Sequence, residues 1–251
     1  MFFRLRFATL MLSTCLHLSA QPPTLYKKTD HFEILCAPQD QTIAEEILVQ
    51  NEAFFARLSQ DFNHTPSTPF IVTIHPTLVS LHEALGWPDA PNWVIARTKE
   101  GTDTRVCPNA PDTTFTRERL MHSYKMGLTT LFLYSKFSTA TELPRWLQQG
   151  IALYKANWFT AQQCNKELGK DMAKLPDIEQ LETNGAIDFA CKNGFKVSFS
   201  LVDFLVTRWG WDSALTLLGN YNNFEKIVKL GKQEFKTEWI KYISQSNSLK
   251  N

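Results

Sequence analysis

Residues 143–154 read LPRWLQQGIALY, and the architecture of the chain follows from this segment together with an earlier one, LMHSYKM at 120–126. We predict that both segments are helical, the later one near Pro144 to Ala156 and the earlier one near Thr116 to Lys136. Residues at i and i+4 lie on one face of a helix. His122 and Met126, the first and fifth residues of HSYKM, therefore share a face of the earlier helix.

The two helices have the spacing of a zinc site but not its residues. Zinc peptidases place two His residues four apart on one helix, with a Glu between them as general base, and in one branch a second helix supplies a Glu as third ligand. In this chain the first ligand position is His122, the base position is Ser123, the second ligand position is Met126 and the third is Gln149.

These helices resemble those of the gluzincin-type metallopeptidases of the peptidase MA-like group. In that family an H-E-x-x-H helix is followed by a helix that begins L-P-x-W-L-x-E-G-x-A-x-Y. The second pattern is matched at every fixed position except its Glu, that is, at Leu143, Pro144, Trp146, Leu147, Gly150, Ala152 and Tyr154. The resemblance also includes HFEI at 31–34, a predicted hairpin before the first helix, and KVSFSLVDFLVTRWG at 196–210.

The resemblance implies an α+β, zincin-like fold in one peptidase MA-like domain of residues 21–251. A small N-terminal β-sheet with helices, at about 30–110, would be followed by a mainly helical lobe at about 113–245. The degenerate zinc-site positions would lie in a cleft between the two lobes. If this cleft binds a ligand, we expect Tyr124 and Trp146 to line it.

The departures from the family pattern argue against peptidase chemistry. A catalytic zinc needs three protein ligands and an open position for water. The thioether of Met126 suits soft ions, the amide of Gln149 is a poor zinc ligand, and the hydroxyl of Ser123 does not titrate in the range that a general base needs. We therefore expect no catalytic residue, metal or cofactor, with zinc present only if the site is unconventional.

Three functions stay open at this point. The first is a pseudoenzyme whose cleft binds a peptide or a cell-envelope component. The second is an active zinc-dependent hydrolase with an unconventional site, and the third is a structural or interaction protein whose cleft is filled by side chains. His122 alone is also typical of a half-buried helix residue, and Gly127 is typical of a close approach between the two helices.

The remaining patterns predict strands first and helices afterwards, which is the α+β order. Alternating or β-branched residues predict strands at 31–37 and 70–75, and a hairpin of 93–97 with 104–107. Helical spacing predicts a long helix that starts at its N-cap Asp40 and ends near residue 62, and shorter ones near 78–85, 199–208, 211–220 and 234–244. We expect 155–198 to be the least regular part.

Residues 1–20 are typical of an export signal. Arg4 and Arg6 precede an apolar stretch that is too short to span a bilayer, and a small residue, Ala20, ends the segment. We expect an exported protein, periplasmic or secreted, with no transmembrane segment after residue 20. A lipid anchor at Cys15 is the weaker alternative, because Thr14 stands where a lipobox has Gly or Ala.

Removal of this signal would leave four of the five cysteines, namely Cys36, Cys107, Cys164 and Cys191. An even number in an exported chain fits two disulfides, with three pairings that the sequence does not separate.

The charge balance excludes a general nucleic-acid binder. The chain has 26 Lys and Arg against 25 Asp and Glu, a formal net charge of +1. Loss of two arginines with the signal and of no acid would change this charge to −1. Binding to a phosphate backbone depends on clustered Lys and Arg in excess.

Overall fold

The chain has an α+β fold. A computed structural model describes residues 21–137, 143–182 and 185–248. Within them, a five-stranded mixed sheet comes from the first part of the chain and the remainder is mostly helical, which confirms the predicted class and the order of elements. The predicted export signal, with the alternative anchor Cys15, lies outside the described residues.

The sheet is formed by β1 (Thr24–Lys28), β2 (Phe32–Cys36), β3 (Phe70–His75), β4 (Ala96–Lys99) and β5 (Thr102–Val106). Its strand order is β1-β2-β3-β5-β4. The three central strands are parallel, whereas β1 and β4 are antiparallel to their neighbours and form the two edges. The edge position of β4 leaves one side of that strand without a partner strand in the described sheet.

The buried strands are those that the sequence predicts. In β2, Phe32, Ile34 and Cys36 are buried and alternate with half-buried residues. The strands of the β4–β5 hairpin extend closer to the connecting turn than predicted. Only two residues, Glu100 and Gly101, connect them. Gly101 has a φ of +70°, a value that favours glycine in such a turn.

The helices are α1 (Gln41–Phe62), α2 (Leu78–Ala84), α3 (Arg117–Lys136), α4 (Arg145–Lys155), α5 (Ala161–Leu168), α6 (Ala186–Cys191), α7 (Gly194–Trp209), α8 (Trp211–Gly219), α9 (Phe224–Val228) and α10 (Lys232–Ser248). Helix α1 packs on β2, helix α3 packs on β4 and β5, and the two helices contact each other. The segment expected to be irregular contains α5, α6 and two short 3-10 turns.

Asp40 is the N-cap residue of α1, as predicted, but its side chain does not cap the helix. This residue ends a 3-10 turn, Pro38–Asp40, and its side chain makes no capping hydrogen bond to α1. The carboxylate is buried and accepts a hydrogen bond from the Cys107 thiol at 3.4 Å. Burial raises the pKa of Asp40 above its ordinary value.

The most extensive contact between helices joins α4 to α7, and Gly150 permits it. A Cβ atom at this glycine would overlap the backbone oxygen of Ser198 and would lie 2.6 Å from Cγ2 of Val202. Helix α4 therefore lies with its backbone directly on α7.

The predicted disulfides are absent from the described residues, since all four cysteines are free thiols. Cys36 ends β2 and Cys107 follows β5, with β3 between them. Two strand spacings separate their backbones by about 10 Å, beyond the limit of about 7 Å between Cα atoms that a disulfide bridges. The buried thiol of Cys164 donates instead to the Lys196 carbonyl at 3.2 Å.

Among the described helices, none combines the length and the apolar character needed to cross a bilayer.

We predict that Gly150→Ala destabilises the protein by about 1–3 kcal/mol, because the methyl group overpacks the α4–α7 contact. Urea unfolding measures this free energy. Gly219→Ala is the matched control, since a Cβ atom there meets no atom nearer than 3.3 Å. Equal stability of the wild type and Gly150→Ala would show that the two helices are further apart than described.

We also predict that a maleimide modifies Cys191 in the folded protein and that the other three described cysteines react only after unfolding. Cys191 is exposed, whereas burial raises the pKa of Cys36 to about 11 and the pKa values of Cys107 and Cys164 to about 12. Peptide mass mapping without reductant identifies the modified residues. A pair that stays unmodified in the unfolded chain would be a disulfide.

Candidate functional site

A cleft of about 1060 Å³ lies between the free edge of the sheet and the helical part of the chain. One part of the lining is the segment 93–98, which runs into β4, and another part is formed by residues within 186–196, around the start of α7. Side chains of α3 and of the beginning of α4 complete the lining. The two helices quoted at the outset thus meet at one cleft.

Helix α3 presents a single stripe of residues to this cleft. Arg119, Ser123, Met126 and Thr130 line it, at successive spacings that keep side chains on one face of a helix. His122 is not among the lining residues. At 100° per residue its side chain lies roughly 70° around the helix from the centre of the stripe. His122 is half-buried, and desolvation is the largest cause that lowers its pKa.

The structure therefore brings three of the four degenerate zinc-site positions together. Ser123 and Met126 of α3 and Gln149 of α4 all line the cleft. The hydroxyl of Ser123 is buried and donates to the carbonyl oxygen of Leu120, at 2.6 Å. That hydroxyl proton is consequently engaged within the helix.

The residues expected to line the cleft, Tyr124 and Trp146, are fully buried instead. The hydroxyl of Tyr124 donates to the carbonyl of Val106 at 3.1 Å, and burial raises the pKa of Tyr124 well above its ordinary value. Trp146 donates from its indole nitrogen to the Tyr221 hydroxyl at 3.1 Å. Each aromatic ring lies on the core side of its helix.

The donor set does not fit a catalytic zinc. Among the described residues, no three His, Cys, Asp or Glu side chains converge on a common point. The cleft positions that correspond to the zinc pattern supply a hydroxyl, a thioether and an amide. None of these is a ligand or a general base of the kind that a zinc hydrolase uses.

Charged residues in the cleft lining are all basic. They are Arg97, Arg105, Arg119, Arg145 and Lys196, and no Asp or Glu occurs among the described residues that line the cleft. Sequence reasoning missed this set, because its members are scattered over nearly one hundred residues of a chain that has almost no net charge.

Two of these cations are paired with carboxylates of the protein, Lys196 with Glu167 and Arg105 with Asp103. Arg105 forms a buried ion pair with Asp103, and the hydroxyl of Thr98 donates to the same carboxylate at 2.7 Å. A Cβ atom at Gly127 would overlap this ion pair. The close approach predicted for Gly127 is therefore made to β5 and not to the second helix.

Three large apolar side chains of the cleft lining are exposed, and we call them the apolar rim. Trp87 and Trp93 are each 37% exposed and Ile187 is 52% exposed, and all three line the cleft. Large exposed apolar side chains that gather at one place are typical of a binding surface.

Comparison with known proteins identifies no family: no protein-family model matches the chain, and no curated protein matches it significantly.

We predict that the protein as purified holds no stoichiometric zinc and that the triple variant Ser123→Glu, Met126→His, Gln149→Glu binds about one zinc per chain. These changes restore two ligands and a general base beside His122. Metal analysis after dialysis against dilute zinc measures the binding. Adding His122→Ala to the triple variant should abolish it, which excludes unspecific uptake.

A folded triple variant that takes up no zinc would show that the alignment of the two helices with the zinc pattern is wrong. Stoichiometric zinc in the unaltered protein would instead support the alternative of a hydrolase with an unconventional site.

Proposed function

We propose that this protein is an exported, periplasmic or secreted relative of the gluzincin metallopeptidases that has lost zinc and peptidase activity and binds an extended peptide segment in its cleft. The zincin-like part of the proposal depends on the resemblance around Trp146 and Gly150. The peptide-binding part depends on one observation, the unpartnered edge of β4 along an open, apolar-rimmed cleft.

The free edge of β4 has the geometry to pair with an extended chain. In this hairpin Ile95 accepts a hydrogen bond from Val106, so the alternate positions Ala96 and Thr98 direct their backbone groups away from β5. Both residues line the cleft. Addition of a strand to an exposed sheet edge is a recurrent mode of peptide recognition, in which main-chain hydrogen bonds provide affinity.

The apolar rim supplies places for the side chains of such a segment. Successive side chains of an extended peptide point to opposite sides. One set would meet the rim formed by Trp87, Trp93 and Ile187 and the other would point towards the helices. Aromatic and apolar walls with a few polar groups are the usual composition of ligand sites.

The chemistry of the cleft favours binding without hydrolysis. Peptide hydrolysis of the gluzincin type needs an activated water, and the positions of its ligands and base hold Ser123, Met126 and Gln149. The volume of the cleft also favours a binding role over the alternative in which side chains fill the space.

We predict saturable, equimolar binding of a pool of short random peptides, acetylated at the amino end, and no cleavage of them. Ala96→Pro should weaken this binding about three- to tenfold, because it removes one outward backbone donor, and a hydrogen bond is worth about 0.5–1.5 kcal/mol. Calorimetry measures the affinity and mass spectrometry detects cleavage.

Ala96→Ser, which keeps the backbone N–H, is the matched control and should bind as the wild type does. Failure of the unaltered protein to bind the pool, or cleavage of the pool by the protein, would contradict the proposal.

A further inference from the structure

We infer that the cleft selects peptides that carry a carboxylate and that Arg119 of α3 binds this group. The inference rests on the proposed peptide-binding function and names the chemistry of its ligand. It comes from the charge of the lining, which includes five basic residues and, within the described part of the chain, no acidic one.

Arg119 is held in a fixed orientation. Its Nη1 donates to the carbonyl oxygen of Trp158 at 2.6 Å, and the centre of its guanidinium group lies 3.7 Å from the centroid of the Trp158 ring. Phe159 lies further away, at 5.4 Å. Stacking on an aromatic face leaves the edge of a planar guanidinium available for hydrogen bonds.

Arg119 also lacks a counter-ion among the described residues. Its neighbours on β5 and α3 have one, since Arg105 pairs with Asp103 and Arg117 pairs with Glu46. Lys196, which also lines the cleft, pairs with Glu167. Burial lowers the pKa of Arg119, and no neighbouring carboxylate raises it. The group nevertheless stays charged at neutral pH, because the ordinary pKa of arginine is far above 7.

A carboxylate on a bound peptide would supply this missing charge. Arginine and carboxylate form two parallel hydrogen bonds with matched geometry. A second donor is present in the same cleft, since Nε2 of Gln148 is buried and has no hydrogen-bond partner among the described residues. A polar atom buried without a partner costs free energy that an acceptor on the ligand would recover.

The carboxylate has two sources in a peptide, an acidic side chain or the free C-terminus. Three peptide pools separate them, each acetylated or labelled with an uncharged dye at the amino end. The first contains Gln at alternate positions and ends in an amide, the second replaces Gln with Glu, and the third keeps Gln but has a free C-terminus.

We expect the second or the third pool, or both, to bind about tenfold more tightly than the first, as befits a hydrogen bond between charged groups. Arg119→Gln should remove this difference between the pools. The control Arg117→Gln makes the same change of charge two residues away, where the partner is Glu46, and should preserve the difference.

Arg119→Lys keeps the charge but not the paired donors, so a reduced preference for carboxylate should persist. Thermal unfolding of each variant checks that the fold is intact, and in the unaltered protein the preference should shrink as sodium chloride is added. Equal binding of all three pools, or equal effects of Arg119→Gln and Arg117→Gln, would overturn the inference while leaving peptide binding in place. Absence of binding by every pool would overturn the proposed function and the inference with it.

Discussion

The close approach of α4 to α7 is the constraint on which the cleft depends. Because Gly150 has no side chain, α4 rests with its backbone on Ser198, and this contact fixes the rotation of α4 about its own axis. At 100° per residue, Trp146 lies roughly 40° from Gly150 and Gln148 lies roughly 160° from it. Trp146 is consequently driven into the core, and Gln148 and Gln149 reach the cleft.

The rotation of α4 also explains which features of the site could be predicted from the sequence. The helices, the central strands and the presence of Met126 and Gln149 in one cleft follow from periodicity and from the matched pattern at 143–154. The burial of Tyr124 and Trp146 does not, because periodicity identifies an apolar face without saying which neighbour covers it. The packing partners of Gly127, residues 103 and 105, are likewise far from it in sequence.

Other features leave little trace in the sequence. Strand β1 has mostly exposed residues and is held by backbone pairing with β2, so it lacks the alternation that identifies a half-buried strand.

The basic lining of the cleft could not be predicted from the sequence for a different reason. A net charge near zero describes the sum over the chain, whereas the potential in a cleft depends on which charges face it. Relative to the gluzincin pattern, Ser123 and Gln149 replace two carboxylates by neutral groups, and the basic residues of the lining then set its sign.

The free edge of β4 has a consequence for how copies of this protein behave towards one another. An open strand edge is a template for aggregation unless something opposes the pairing of identical copies. Arg97 and Lys99 are exposed on β4. Two molecules that met edge to edge through β4 would place four positive charges along one new seam. Like charges opposite each other destabilise strand pairing. The β4 edge is therefore protected against pairing with the β4 edge of a second copy, while it can still pair with a chain of different charge.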